Sequence, residues 1–190
     1  MSRIGRMPIT IPSNVAVDYD GKVIVVKGPL GELKKEIKDD VKIEIKDGVI
    51  SLDRINEDKA VKARHGLYRA IISNMIKGVT EGYTRYLVFN GVGYKISKSG
   101  NKLIMDIGLS HTKNFEDVPG VTVEIVASND PIVKTVEKGT IVAVKGIDKE
   151  LVGQVASSIR AIKPVEPYHL YGIRFIDEYV IRKVSKNGKK

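Results

Sequence analysis

Apolar and polar residues alternate along the first quarter of the chain with the period of two that a half-buried strand requires. Lys22 to Gly28 is β-branched and partly alternating, and Glu32 to Ile37 reads as its partner strand. Between them Gly28-Pro29-Leu30-Gly31 is a turn, since Pro pre-sets φ and Gly tolerates φ > 0. Val41 to Lys46 places Val41, Ile43 and Ile45 on one face. Asp47-Gly48 is a two-residue hairpin signal leading into Val49 to Leu52. From Asp58 to Lys77 the period changes. Val61, Tyr68, Ile71, Ile72, Met75 and Ile76 recur at helical spacing, with Leu67 beside them, and Gly78 is the expected helix end.

The second half repeats this order. Arg85 to Phe89, Tyr94 to Ser97 and Leu103 to Ile107 are strand-like, with a turn at Ser99-Gly100-Asn101. Val121 to Val126, Ile132 to Val136 and Thr140 to Lys145 add strands. Asp148 is an expected cap for a helix with the stripe Leu151, Val152, Val155, Ile159 and Ile162, ended by Pro164. A shift of 91 residues lays Arg69-Ala70-Ile71 on Arg160-Ala161-Ile162 and Ile50 on Ile141. The fold expected is therefore α+β: two similar domains, each a small, mostly antiparallel sheet packed with one amphipathic helix. The expected boundaries are 1–82, 83–175 and a basic tail, 176–190, with the linker between Gly78 and Tyr83.

Charge sharpens the picture. Over 190 residues, 32 Lys plus Arg oppose 23 Asp plus Glu, a formal net charge of +9 that points to a polyanionic partner. Residues 160–190 hold 8 cations and 3 anions, more than half of the excess. Residues 1–82 hold 15 and 12. Cysteine is absent, which excludes disulfides, thiolate catalysis and Cys-based zinc sites. No secretory signal is read at Met1 to Thr10, and no stretch approaches the roughly 20 apolar residues of a membrane span.

The C-terminal stretch carries the most chemistry. Arg160, Lys163 and Arg174 are candidate phosphate ligands, and Arg can grip phosphate oxygens in a bidentate way. Pro164 and Pro167 stiffen the loop, so less entropy is lost on contact. Tyr168, His169 and Tyr171 offer flat faces for an exposed base or ribose, and Gly172 lets a backbone approach closely. The bland reading of the same residues is a solvated basic loop leading to an edge strand. The tail from Lys183, with Lys186, is expected to be disordered when free and able to fold onto RNA.

Other constellations read as structural. His65 lies beside core positions of the first helix, so packing is its expected role. Ser110-His111 in a turn is not a catalytic dyad without a group to orient the base. The three histidines lack metal-ligand spacing. Gly91-Val92-Gly93 lacks the third glycine and the context of a dinucleotide site and reads as a strand bend. No enzyme, cofactor, metal or small-molecule substrate is expected. A free-standing RNA chaperone or a regulatory RNA-binding module is one reading of this set of residues.

Four motifs, in order, carry a resemblance. Ser2-Arg3-Ile4-Gly5-Arg6-Met7-Pro8-Ile9 resembles the start of the bacterial-type large-subunit ribosomal protein six family. Val26-Lys27-Gly28-Pro29-Leu30-Gly31-Glu32-Leu33 is similar to its first hairpin, and Gly91-Val92-Gly93-Tyr94-Lys95 to the opening of its second domain. Glu166-Pro167-Tyr168 with Gly172-Ile173-Arg174 resembles its C-terminal signature. The resemblance implies a cytoplasmic ribosomal protein that binds large-subunit rRNA chiefly through its second domain. It also implies a place near the sarcin–ricin loop and the translation-factor site, beside neighbouring ribosomal proteins and with translation factors close by. Residues nominated for rRNA binding are Lys95, Lys98, Ser110, His111, Arg160, Lys163, Glu166, Tyr168, His169, Tyr171, Gly172, Arg174, Lys183 and Lys186. The chain departs from the family where Lys usually follows Pro-Tyr and precedes Gly-Ile: His169 and Tyr171 stand there, so stacking or hydrogen bonding is expected in place of two charges. Leu109 and Thr112 likewise replace a usual Tyr and Pro around Ser110-His111.

Overall fold

The computed structural model describes residues 5–38, 40–127, 130–132 and 139–184. The chain divides into two compact units, one of residues up to Tyr83 with Ile147–Lys149, the other of Thr84–Gly146 with the residues from Glu150 onward.

In the first unit, β1 (Ile9–Thr10), β6 (Val49–Arg54) and β5 (Val41–Lys46) form one antiparallel sheet, in that order. β2 (Ala16–Tyr19), β3 (Val23–Gly28) and β4 (Gly31–Glu36) form a second. The β5–β6 hairpin turns on Asp47 and Gly48, both with positive φ (50° and 73°), the backbone that matches strand twist in a two-residue loop. The helix α1 (Lys59–Thr80) packs on β3, β4, β5 and β6. Ile72 and Val79 on α1, Ile24 and Val26 on β3, and Ile50 on β6 are fully buried. Leu67 falls off the stripe and is 54% exposed. His65 is buried in that face, and its Nε2 lies 2.9 Å from the Leu52 carbonyl, so its role is packing plus one backbone bond.

Gly78 does not end α1, contrary to the sequence expectation. The helix runs on to Thr80, and Gly82 (φ 75°) takes the left-handed position, its N–H donating to the carbonyls of Lys77 and Gly78. A glycine inside a buried helix face looks in sequence like a terminator; only the second glycine has the conformation that terminates.

In the second unit β8 (Lys95–Ser99), β9 (Lys102–Asp106) and β10 (Lys113–Glu116) form an antiparallel meander. β11 (Val121–Ile125), β12 (Thr140–Gly146), β7 (Tyr83–Asn90) and β13 (Gly172–Phe175) make a four-stranded sheet in that order. β12 is an inner strand, and Ile141 to Val144 are buried consecutively, as a strand covered on both faces must be. The helix α2 (Lys149–Ile162) buries Val152, Val155, Ala156 and Ile159, with Val152 against Gly146 at the end of β12. Leu151 and Ile162 flank that stripe and are only half-buried.

The chain is α+β and the two units repeat one plan, β1-β6-β5 corresponding to β7-β12-β11. The 91-residue shift holds only from β6 and β12 onward, which start at 49 and 140, whereas β5 and β11 start at 41 and 121. A longer β11–β12 connection absorbs the difference, and the strand expected at Ile132 to Val136 falls within it, mostly outside the described residues. Among the described residues β13 has no counterpart in the first unit. No helix is long and apolar enough to cross a membrane among the described residues.

The burial contrast along α1 is testable. Ile72→Ala is expected to lower the unfolding free energy by about 2–5 kcal/mol, and Leu67→Ala by less than about 0.5 kcal/mol, as read by urea denaturation. Equal losses would contradict the assignment of the buried face.

Candidate nucleic-acid interface

The nominated residues of the second unit are gathered by hydrogen bonds made inside the chain. Lys163 follows α2, and its Nζ donates to the carbonyl of Ile107 and, at 3.3 Å, to that of Gly108, while lying 5.0 Å from the ring centroid of Tyr94. The end of α2, the Gly91–Tyr94 bend and the loop bearing Ser110 and His111 therefore meet at one ammonium. Ser110 Oγ and His111 Nδ1 are 3.3 Å apart and both residues are exposed, with no third side chain orienting the imidazole among the described residues.

After Pro164 the chain makes a loop and returns as β13. Ile173 N–H donates to the Lys163 carbonyl (2.8 Å), and Gly172 and Ile173 pair with Asn90 and Phe89 of β7. Gly172 has φ 137°, and a Cβ there would sit 2.6 Å from the Pro164 carbonyl oxygen and 2.7 Å from Val165 Cα. The close backbone approach expected at this glycine is thus made by the protein's own chain.

Glu166 shapes the loop between. Its carboxylate accepts the backbone N–H groups of Tyr168 (3.0 Å), His169 and Tyr171 (3.4 Å), and its own N–H donates to the Tyr171 carbonyl (3.0 Å). Desolvation alone would raise its pKa. The three N–H donors, with His169 nearby, outweigh that and hold the carboxyl below its ordinary value. Leu170, at φ 62°, completes the turn, and its carbonyl accepts from Asn90 Nδ2 (3.0 Å). The side chains then project outward. The rings of His169 and Tyr171 stack at 5.4 Å between centroids and 22° between planes. The His169 side chain is 69% exposed and Tyr168 is 46% exposed.

The nominated cations divide. Arg160 clamps the Glu178 carboxylate with Nε (2.8 Å) and a terminal nitrogen. Lys98 Nζ binds Asp117 (2.9 Å) and the Val123 carbonyl. With Lys163, these three each bond acceptors within the protein, which the spacing of charges in sequence does not reveal. Arg174 on β13 donates to the Glu178 carbonyl at 3.2 Å and is half-buried. Lys95 and Lys183 are exposed and their ammonium groups have no ion pair among the described residues. Lys186 lies outside the described residues.

Two arginines of the second unit were not nominated. Arg182 is exposed and its Nε donates to the Tyr168 carbonyl (3.1 Å), while Lys183 N–H donates to the Pro167 carbonyl (2.9 Å), so the tail runs beside the loop. The basic run of the tail was the only signal for Arg182. Arg85 on β7 lies 4.8 Å from the Phe175 ring centroid and bonds Asp177 at 3.1 Å, a long-range pairing with no sequence signature.

The arrangement is a duplicated α+β protein whose second unit presents a stiff loop of aromatic and basic groups. Comparison with known proteins agrees with that architecture. The family described as Ribosomal protein L6 matches residues 11–82 and 90–176. The chain is 44% identical to the large ribosomal subunit protein uL6 of Shouchella clausii and 46% identical to that of Dictyoglomus thermophilum, with all of both chains covered in each case. It is 48% identical to that of Christiangramia forsetii over 99% of this chain and 100% of the relative. The chain belongs to the ribosomal protein L6 family, a family of non-catalytic proteins.

Two measurements check the geometry. Gly172→Ala, which meets backbone on two sides, is expected to lower stability by about 1–3 kcal/mol. Glu178 is held below its ordinary pKa first by the Arg160 hydrogen bond, against desolvation, and then by the Phe175 N–H. Its stabilising effect is complete above the unfolded-state value, about 4.3, and is lost as pH falls through the depressed folded value. Denaturation from pH 7 to pH 2.5 should therefore show a shallower acid-side loss in Glu178→Gln than in wild type.

Proposed function

We propose that this chain is a structural constituent of the large ribosomal subunit that binds large-subunit rRNA chiefly through its second unit. The observation that carries this reading is the family match, which spans both units, joined to relatives named as large ribosomal subunit proteins along their full length. The family resemblance supports a site near the sarcin–ricin loop and the translation-factor site, with neighbouring ribosomal proteins as further partners and the cytoplasmic ribosome as its location. The charge distribution supports the second unit as the main contact. The net field of residues 160–190 is strong for their length, whereas the charges of residues 1–82 nearly balance.

The internal pairings reassign the work among the cations. Lys95, Arg182 and Lys183, being exposed, are the phosphate ligands in this reading, joined by Arg174. Arg160, Lys98 and Lys163 shape the surface those ligands stand on. Tyr168, His169, Tyr171, Ser110 and His111 supply stacking and hydrogen bonds, and Glu166 and Gly172 hold the loop.

Fractionation tests the ribosomal role: the protein should stay with large subunits through a salt wash, and large subunits that lack it would overturn the reading. A salt titration of binding to a large-subunit rRNA fragment tests the residues. Lys183→Ala and Arg182→Ala should each weaken binding and reduce the log–log salt slope by roughly 0.7–0.9 per lost phosphate contact. Lys34→Ala in the first unit, where Lys34 pairs with Glu32 at 2.9 Å, should change neither. A larger slope change for Lys34→Ala would move the main contact to the first unit.

A further inference from the structure

We propose that the stacked pair His169–Tyr171 is a platform for an unpaired nucleobase, so that this loop reads an extruded base where lysines at both positions would read phosphate charge. The inference rests on the rRNA-binding reading and names the part of the RNA that the loop takes. Each ring in a stacked pair covers one face of the other and leaves its outer face open. The 69% exposure of the His169 side chain means that its outer face meets solvent. An exposed aromatic face beside cations is the arrangement on which single-stranded bases stack, because every base has a π-face and the backbone phosphate needs a cation within reach.

Three further observations suit a platform rather than a mobile surface loop. The carboxylate of Glu166 ties the N–H groups of Tyr168, His169 and Tyr171, so both rings stand on backbone that is already ordered. Asn90 Nδ2 fixes the Leu170 carbonyl between them. Arg182, anchored by Nε to the Tyr168 carbonyl, keeps its terminal nitrogens unbonded among the described residues and stands ready for the phosphate of the same nucleotide. The loop therefore loses little freedom when a base lands on it.

The test uses the full chain and an rRNA hairpin carrying 2-aminopurine at an unpaired position, with a fully paired duplex of the same length as comparison. Wild type should bind the hairpin more tightly than the duplex and quench the fluorophore. His169→Ala should remove the quenching and weaken hairpin binding roughly five- to a hundredfold, the range of aromatic–base stacking, with the salt slope unchanged. His169→Phe and Tyr171→Phe keep the rings and should keep the quenching. Circular dichroism and thermal unfolding of His169→Ala must match wild type, and His169→Phe retains an informative readout if they do not. Equal binding of hairpin and duplex, with quenching indifferent to His169→Ala and Tyr171→Ala, would overturn the platform while leaving rRNA binding intact. Binding to neither RNA would overturn both.

Discussion

Lys163 Nζ donates to the carbonyls of Ile107 and Gly108 and lies 5.0 Å from the centre of the Tyr94 ring, and three stretches far apart in sequence converge on it. An ammonium withdrawn from much of its water needs acceptors in fixed positions. Those acceptors are the two carbonyls just after β9 and the face of one tyrosine. The Gly91–Tyr94 bend and the Ser110–His111 loop are consequently placed beside the end of α2, and the Glu166 loop starts from there. This lysine acts as a tether.

The same division of labour applies to Arg160 and Lys98. Each satisfies a carboxylate, Glu178 or Asp117, and each links segments that the sheet pairings alone leave apart. Breaking one partner of such a half-buried pair strands the other charge, so these pairs hold the shape of the unit. In the proposed interface, contact with RNA falls to side chains that cost little to hold: a stacked ring pair on a tied loop, and the exposed cations beside it.

Much of the architecture was legible in the sequence because it rests on local rules. The alternation of Val41, Ile43 and Ile45, the Asp47-Gly48 turn and the helical stripes of α1 and α2 each follow from residue periodicity. Errors arose where a local signal had two meanings. Gly78 and Gly82 are alike in sequence, and only the backbone angle at Gly82 makes it the terminator. The repeat seemed a single shift because the longer β11–β12 connection is silent in the residues that match. At the candidate interface the types of residue were readable and their allegiance was not. Arg160 and Glu178 are 18 positions apart, Lys163 and Ile107 are 56 apart, and no spacing rule joins them.

β7 is the first strand of the second unit and β13 the last among the described residues, and the two pair antiparallel. The loop with its ring pair hangs between α2 and β13, so it takes shape only when the two ends of the unit have met. Pairing across so many residues is slow relative to a hairpin, because the intervening chain must be confined first. On a nascent chain, β7 waits with an open edge until residues 172–175 have emerged. Any product cut short before β13 lacks the finished loop altogether. The order of synthesis is thereby written into the surface: a copy able to present that loop is a copy whose second unit has been made to its final strand.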